Sequence, residues 1–465
     1  MKPQFYRAAL WVLGLALVIP YVFAAWLQDL RSHTKEFLLI YSIAFLLYVG
    51  VSVLALNSEP VLRRVLGLIF VLAIIFQGLL IFTRPTRSDD MYRYIWDGRV
   101  QAHGISPYQY SPNAPELAFL RDSEIYPSIN RKSAVTIYPP AAEAAFALIW
   151  RVWPDNVRWF QIASAAGGLL AGVLLVGLLK DLGRSPSRLV IYLWSPLLAF
   201  ESAHAAHLDG MVLPFLVGAW WARARNRDGL VGFLLGVATA MKLYPLLLLP
   251  VLWRARHPHG RWRMPLAFGV TVGLCYLPYT LVSGRQVLGF LPKYFRETFN
   301  TSPLVANLDQ FLAWLGLDTF NNLLVLTLLI LIIIYCWMII KPAADAETAL
   351  RRCIWPIGVF TLLSANLFSW YMLWLLPLIA IFVSPSKRQF GRLQLLRVDA
   401  WTGWWLFCGL VGLSYTFFIQ WKPVRSAIWV QYLPLYAFLF ISLCRFLWEF
   451  YAHLPRSRST GQHSS

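Results

Sequence analysis

An all-α polytopic membrane protein is the fold class this sequence predicts, and three observations predict it. Of its 465 residues, 58% are hydrophobic and only 14% are charged. Mean hydropathy is +0.56, more apolar surface than a soluble chain of this length can hide. Several apolar runs approach the ~20 residues needed to cross a bilayer, and the short alternating segments of a β-barrel are not seen. Roughly 12–14 transmembrane or re-entrant helices are expected.

The formal charge of +19 raises nucleic acid as a partner. The Lys and Arg residues are instead dispersed between apolar spans, the pattern that fixes membrane topology, so no nucleic acid is expected. Cys275, Cys336, Cys353, Cys408 and Cys444 form no C-x-x-C pair and read as small core residues.

Residues 1–83 are expected to be N-terminal transmembrane helices, with apolar runs near 8–28, 37–56 and 64–83. The first run is long for a signal-peptide core and reads as a retained helix. Lys2 and Arg7 before it, and Arg63 with Arg64 before the third, put the N-terminus in the cytoplasm. Residues 84–137 then form an extracytoplasmic loop, expected to be catalytic. Pro85, Pro107, Pro112, Pro115 and Pro127 break it into short helices and turns.

Residues 138–283 form a central bundle with positive clusters at Lys180/Arg184/Arg188, Arg223/Arg225/Arg227 and Arg254/Arg256/Arg261/Arg263. Counting every apolar run as one crossing places the first two clusters outside, against the positive-inside tendency. Making 140–153 a short re-entrant element, and folding 229–253 into a hairpin near Lys242, brings all three clusters to the cytoplasm. That arrangement also puts His204, His207, Asp209 and Lys242 on the side of Asp89. Residues 284–320 are a second external loop, with Arg285, Lys293, Arg296 and Asp309. Residues 321–448 form a C-terminal bundle. Lys341, Arg351 and Arg352, then Lys387, Arg388, Arg392 and Arg397, mark its inner loops. Residues 449–465 read as a basic, disordered cytoplasmic tail. No internal repeat or separate soluble domain is evident.

Chemistry concentrates at Asp89 and Asp90, within Ser88-Asp89-Asp90-Met91-Tyr92-Arg93-Tyr94. With Ser88 as N-cap the pair sits in a first helical turn, where the dipole favours negative charge; that alone accounts for such residues. A desolvated carboxylate also serves as general base toward a hydroxyl. Arg93 and Arg99 fall on different faces of that helix, so that one pairs with an aspartate and the other meets a phosphate.

Glu201, His204 and His207 are i,i+3 neighbours on a helix, a spacing that suits a metal, a substrate phosphate or a sugar hydroxyl. No D-x-D, H-E-x-x-H or cysteine partner accompanies them, and no metal is expected. Lys242 lies beside the helix-breaking Tyr244-Pro245, which favours an anionic lipid headgroup over simple snorkelling. Ser369-Trp370-Tyr371 is a polar notch in an apolar run, and Arg131, Lys132, Lys293 and Arg296 read as loop cations. No P-loop, G-x-G-x-x-G or G-x-S-x-G signature occurs. A donor resident in the membrane is therefore expected rather than a nucleotide sugar on a Rossmann scaffold.

The stretch from Ser88 through Arg99 to Gln101, followed by Gly104-Ile105-Ser106-Pro107-Tyr108, resembles the first external loop of bacterial GT-C membrane glycosyltransferases. The nearest likeness is to glycosyltransferase family 87 and its alpha-mannosyltransferase branch. Tyr138-Pro139-Pro140, His207-Leu208-Asp209, Lys242-Leu243-Tyr244-Pro245 and Ser369 to Trp374 fit the same pattern, and the likeness covers about 80–385. The resemblance implies a GT-C-like bundle and an inverting transfer of a hexose, often mannose, at the extracytoplasmic face. The donor would be a polyprenyl-phosphate sugar and the acceptor a glycan, lipid or protein. It makes Asp89 the base with Asp90 as partner or substitute, and Lys242 and Arg93 the holders of the donor phosphate. Tyr94, Arg99, His204, His207, Asp209, Tyr244 and Tyr371 complete the expected substrate-binding set, with no cofactor beyond the lipid donor. A lipid transporter or flippase, and a polysaccharide polymerase or ligase, stay open as alternatives.

Overall fold

The computed structural model describes residues 3–57, 65–254, 261–294, 297, 301–317, 319–390 and 393–452. Lys2, Arg63, Arg64, Arg256, Arg296, Arg392 and the tail beyond 452 lie outside the described residues. Among those described, seven segments are long and apolar enough to cross a bilayer: 7–27, 34–57, 157–181, 263–294, 322–340, 400–420 and 425–449. The fold is all-α and polytopic, as the composition predicts.

The first three apolar helices are α1 (Pro3–Leu27), α2 (Thr34–Asn57) and the shorter α3 (Leu66–Ile81). They deliver the chain to a face that carries α4 (Asp90–Ala102), α5 (Ile125–Ser128) and α6 (Pro140–Val152). Pro140 occupies the first turn of α6, where its missing N–H costs nothing. Expected as a short re-entrant element, α6 has 13 residues and lies antiparallel on α4. Gln101 reaches Glu143, and a Cβ at Gly98 would fall 2.8 Å from the Phe146 carbonyl oxygen. Glycine at 98 is what lets the two backbones approach.

Helix α7 (Val157–Asp181), capped by Asn156 accepting from the Trp159 N–H at 2.8 Å, leads to the opposite face. The return is broken into α8 (Leu189–Leu193), α9 (Pro196–Leu198) and a π-helical turn over Ala199–His204. Then α10 (Leu208–Ala224) and α11 (Asp228–Met241) form a hairpin. A Cβ at Gly167 would lie 2.4 Å from the Gly210 carbonyl oxygen, so α7 and α10 cross backbone to backbone.

After α11 the chain breaks at Lys242 and doubles back through a 3₁₀ turn over Tyr244–Leu248 and α12 (Leu249–Leu252). Arg254 then pairs with Asp228 at 2.6 Å, which shows that 229–253 is the hairpin expected from the charge pattern. Arg225 joins Asp181 at 2.6 Å and Arg184 joins Glu347 at 2.8 Å, so the first two positive clusters and Arg254 share one face. The acidic pair lies on the other.

Helix α13 (Arg263–Ser283) runs beside α11, and the Ser283 hydroxyl donates to the Ser106 hydroxyl at 2.7 Å on the acidic face. There follow α14 (Leu291–Tyr294), α15 (Pro303–Trp314), α16 (Thr319–Ile340), α17 (Ala346–Arg352) and α18 (Ile354–Leu363). A 3₁₀ turn over Ser369–Trp374 precedes α19 (Leu376–Phe382); the C-terminal helices are α20 (Ala400–Leu410), α21 (Phe417–Gln420) and α22 (Arg425–Ala452). A single antiparallel hairpin, β1 (Pro385–Phe390) with β2 (Leu393–Leu396), interrupts the helices among the described residues. Asn57 at the end of α2 pairs both ways with the Gln394 backbone, fixing that hairpin to the basic face.

Much of the tryptophan and tyrosine content is core. Trp405 donates to the Tyr48 hydroxyl at 2.7 Å, which donates to the Ile191 carbonyl at 2.6 Å, tying three traverses together. The expectation that the cysteines are core residues needs correction. Cys353 and Cys408 are buried, but Cys336 and Cys444 are exposed on the outer sides of α16 and α22, where a lipid-facing span needs only an apolar atom.

Candidate active site

Ser88 does not cap α4. The first helical residue is Asp90, Asp89 stands at the N-cap position, and the Asp89 side chain makes no capping bond. Ser88 Oγ accepts from the Asp90 N–H at 3.2 Å and satisfies one of the orphan donors of the first turn. Both carboxylates are therefore released to other partners. Asp89 accepts from Arg31 Nη2 at 2.7 Å, with 39% of its side chain exposed. Asp90 is 24% exposed and accepts from Asn130 Nδ2 at 2.7 Å. Desolvation raises the proton affinity of Asp90, the Asn130 hydrogen bond and the charge of Lys242 opposing it.

The His cluster is not an α-helical i,i+3 array. The π turn ends at His204, Ala206 takes a left-handed φ of 55°, and His207 begins a new helix. A β-carbon in that region costs about 1–2 kcal/mol, a strain that turns His207 toward the acidic pair. His207 Nδ1 lies 3.8 Å from Asp90 Oδ2, and Nε2 lies 3.4 Å from Glu201 Oε2. Its ring stacks on Trp370 with centroids 3.8 Å apart. His204 turns the other way, its Nδ1 2.6 Å from the Thr83 hydroxyl.

Lys242, freed from helical geometry at the end of α11, donates to Asp209 at 2.6 Å. Trp374 Nε1 donates to the other Asp209 oxygen at 2.6 Å. Tyr244 stacks on Trp374 at 3.3 Å between centroids, Tyr371 stacks on it from the other side at 4.9 Å, and the Tyr371 hydroxyl meets that of Tyr294 at 3.0 Å. This aromatic wall holds Lys242 in place.

These groups open on one cavity of about 1160 Å³. Its polar end carries Asp89, Asp90, Arg31, Arg87, Asn130 and Lys242. Its apolar walls come from Leu323, Leu324, Leu328 and Leu331 of α16, and from Phe417, Phe418, Trp421 and Ile428 near α21 and α22. Several wall residues, Leu324 and Leu328 among them, are exposed.

Of the residues singled out in the sequence, Asp89, Asp90, Arg93, Tyr94, Lys242, Tyr244 and Tyr371 line this cavity. His207 and Asp209 stand behind its wall, touching Asp90 and Lys242, and His204 lies deeper. Arg93 and Arg99 do not divide their roles as expected, because both pair with carboxylates. Arg93 binds Asp97 at 2.8 Å and the Ala134 carbonyl at 3.0 Å. Arg99 binds Asp155 at 2.8 Å, Asp122 and the Leu120 carbonyl, which holds the 84–137 loop against the start of α7; it does not line the cavity. Arg31, Arg87 and Asn130 went unnoticed in the sequence. Arg31 sits in the short α1–α2 connection and Arg87 immediately before the acidic pair, where each looks like an ordinary flanking cation.

Residues 8–256, more than half of the chain, match the family described as Alpha-(1->6)-mannopyranosyltransferase, N-terminal domain. The match contains the acidic pair, the His cluster and Lys242. Among curated proteins no relative matches the chain.

Proposed function

We propose that this chain, which belongs to the alpha-(1->6)-mannopyranosyltransferase family and so is a glycosyltransferase moving mannose, draws that mannose from a polyprenyl-phosphate donor. The observation that carries the reading is the single cavity joining a carboxylate and cations at one end to leucine and aromatic walls at the other. A lipid tail lies along those walls while its headgroup reaches the polar end. A soluble nucleotide sugar would leave them unused.

The acceptor hydroxyl attacks C1 of the mannosyl phosphate and loses its proton to a carboxylate. The bond from C1 to the phosphate oxygen breaks, the anomeric configuration inverts, and polyprenyl phosphate departs carrying one more negative charge. Asp90 is the better base of the pair. It faces the cavity, has no Lys or Arg bonded to it among the described residues, and has its proton affinity raised by burial. Asp89 is occupied by Arg31 and orients that arginine. His207 is buried between Asp90 and Glu201, 3.8 and 3.4 Å from their carboxylates.

The reaction takes place on the extracytoplasmic face. Lys180, Arg184, Arg225, Arg227 and Arg254 share the opposite face, which positive-inside bias assigns to the cytoplasm. The test is transfer by the purified protein from labelled polyprenyl-phosphate-mannose. Transfer from a guanosine-diphosphate sugar alone would overturn the donor assignment.

A further inference from the structure

Five cations line the cavity among the described residues: Arg31, Arg87, Arg93, Arg131 and Lys242. Four already hold carboxylates, namely Asp89, Asp97, Glu297 and Asp209 in that order. Arg87 has none. Its guanidinium sits in the corner between the near-perpendicular rings of Phe37 and Tyr415, 3.7 and 3.6 Å from their centroids. One nitrogen donates to the Leu30 carbonyl at 3.3 Å, while Nε and Nη2 are buried without a hydrogen-bond partner. The nearest acid, Glu201, is one side chain removed and accepts from the Tyr415 hydroxyl at 2.9 Å. Arg31 approaches the same patch, since Arg31 and Arg87 lie 4.9 and 5.6 Å from the Phe418 centroid. Two cations over one ring with a single carboxylate between them form a site one anion short.

A buried, unpaired guanidinium costs several kcal/mol unless a counter-charge arrives. Phosphate fits the planar fork and both idle donors. We infer that Arg87, rather than Lys242 or Arg93, holds the phosphate of the lipid donor, with Arg31 beside it and Phe417, Phe418 and Trp421 taking the first prenyl units. The inference rests on the polyprenyl-phosphate reading above. It also gives the cation a role in the chemistry. The phosphate gains a negative charge as the bond to C1 breaks, and an uncompensated guanidinium stabilises that change more than one already neutralised by aspartate.

The experiment measures binding of radiolabelled farnesyl phosphate and of farnesol to the purified full chain in nanodiscs. Wild type is expected to prefer the phosphate. Arg87→Gln should lose at least tenfold in farnesyl phosphate affinity with farnesol binding unchanged, and Arg87→Lys should lose less. Equal phosphate affinity in wild type and Arg87→Gln would overturn the assignment while leaving the donor class intact. Failure of wild type to distinguish the phosphate from farnesol would overturn the donor class and the anchor together. Should Arg87→Gln not fold, Arg87→Lys, which keeps the charge and loses the planar fork, must show a several-fold loss confined to the phosphate. Undiminished phosphate binding by that variant would equally overturn the assignment.

Discussion

Arg31 Nη2 and Asp89 Oδ1 meet at 2.7 Å, so the more exposed member of the acidic pair carries its own counter-ion while Asp90 is held by the neutral amide of Asn130. Two adjacent residues of identical chemistry are thereby given different work. The difference should be measurable.

Asp90→Asn is expected to lower kcat for mannosyl transfer by about 10²–10⁴, the usual range for a lost general base. Asp89→Asn should lose about tenfold or less, and Arg31→Gln about as much, with the double variant no worse than either because one interaction is removed in all three. Turnover of labelled polyprenyl-phosphate-mannose checks this. The reverse ranking of the two aspartates would return the base to Asp89.

Burial raises the proton affinity of Asp90, so activity should fall with acidification at a pH above the ordinary aspartate value of about 3.9. The Asn130 bond favours the ionised form, and Asn130→Ala should move that acid limb to still higher pH. A raised folded-state pKa means that the stability it confers is present below the unfolded value and is lost as pH rises through the folded one. Asp90→Asn should therefore melt higher than wild type at neutral pH, with the gap closing toward pH about 4. Thermal unfolding across pH reads both directions.

Lys242 and Asp209 should behave as one unit. Lys242→Met leaves a carboxylate with 1% side-chain exposure without its cation and is expected to cost about 3–5 kcal/mol. The pair Lys242→Met with Asp209→Leu should unfold at higher temperature than Lys242→Met alone. Intrinsic fluorescence melting in detergent measures the difference.

The α7–α10 crossing makes a steric prediction. A Cβ at Gly210 would fall 2.7 Å from the Ser164 carbonyl oxygen and closer still to its hydroxyl, so Gly210→Val should destabilise by about 1–3 kcal/mol or more. Gly50, inside α2 with open space around it, should tolerate alanine and gain about 0.5–1 kcal/mol. Size-exclusion profiles and melting temperatures distinguish the two.

Sidedness is testable with single cysteines. Glu124→Cys is on the face of the acidic pair and Gly183→Cys is on the basic face, and both positions are exposed. A membrane-impermeant maleimide applied to intact cells should label the first and spare the second. Labelling of Gly183→Cys alone would invert the topology.

The sequence by itself determined much of the frame. Hydropathy located the spans, because a bilayer demands about 20 apolar residues whatever packs beside them. The three positive clusters, read as belonging to one side, forced the fold-back at Lys242 that Arg254 and Asp228 display. The acidic pair declared itself through its cost in an apolar chain. What only the tertiary structure decided is how charge is shared. Asp89 finds its cation 58 residues away and Asp209 finds Lys242 33 residues away. Arg99 leaves the cavity for Asp155, and Arg87, an unremarked flanking residue in the sequence, is left with none. Coulomb and hydrogen-bond partners are set within a few ångströms by which helices pack together, and separation along a chain carries no such information.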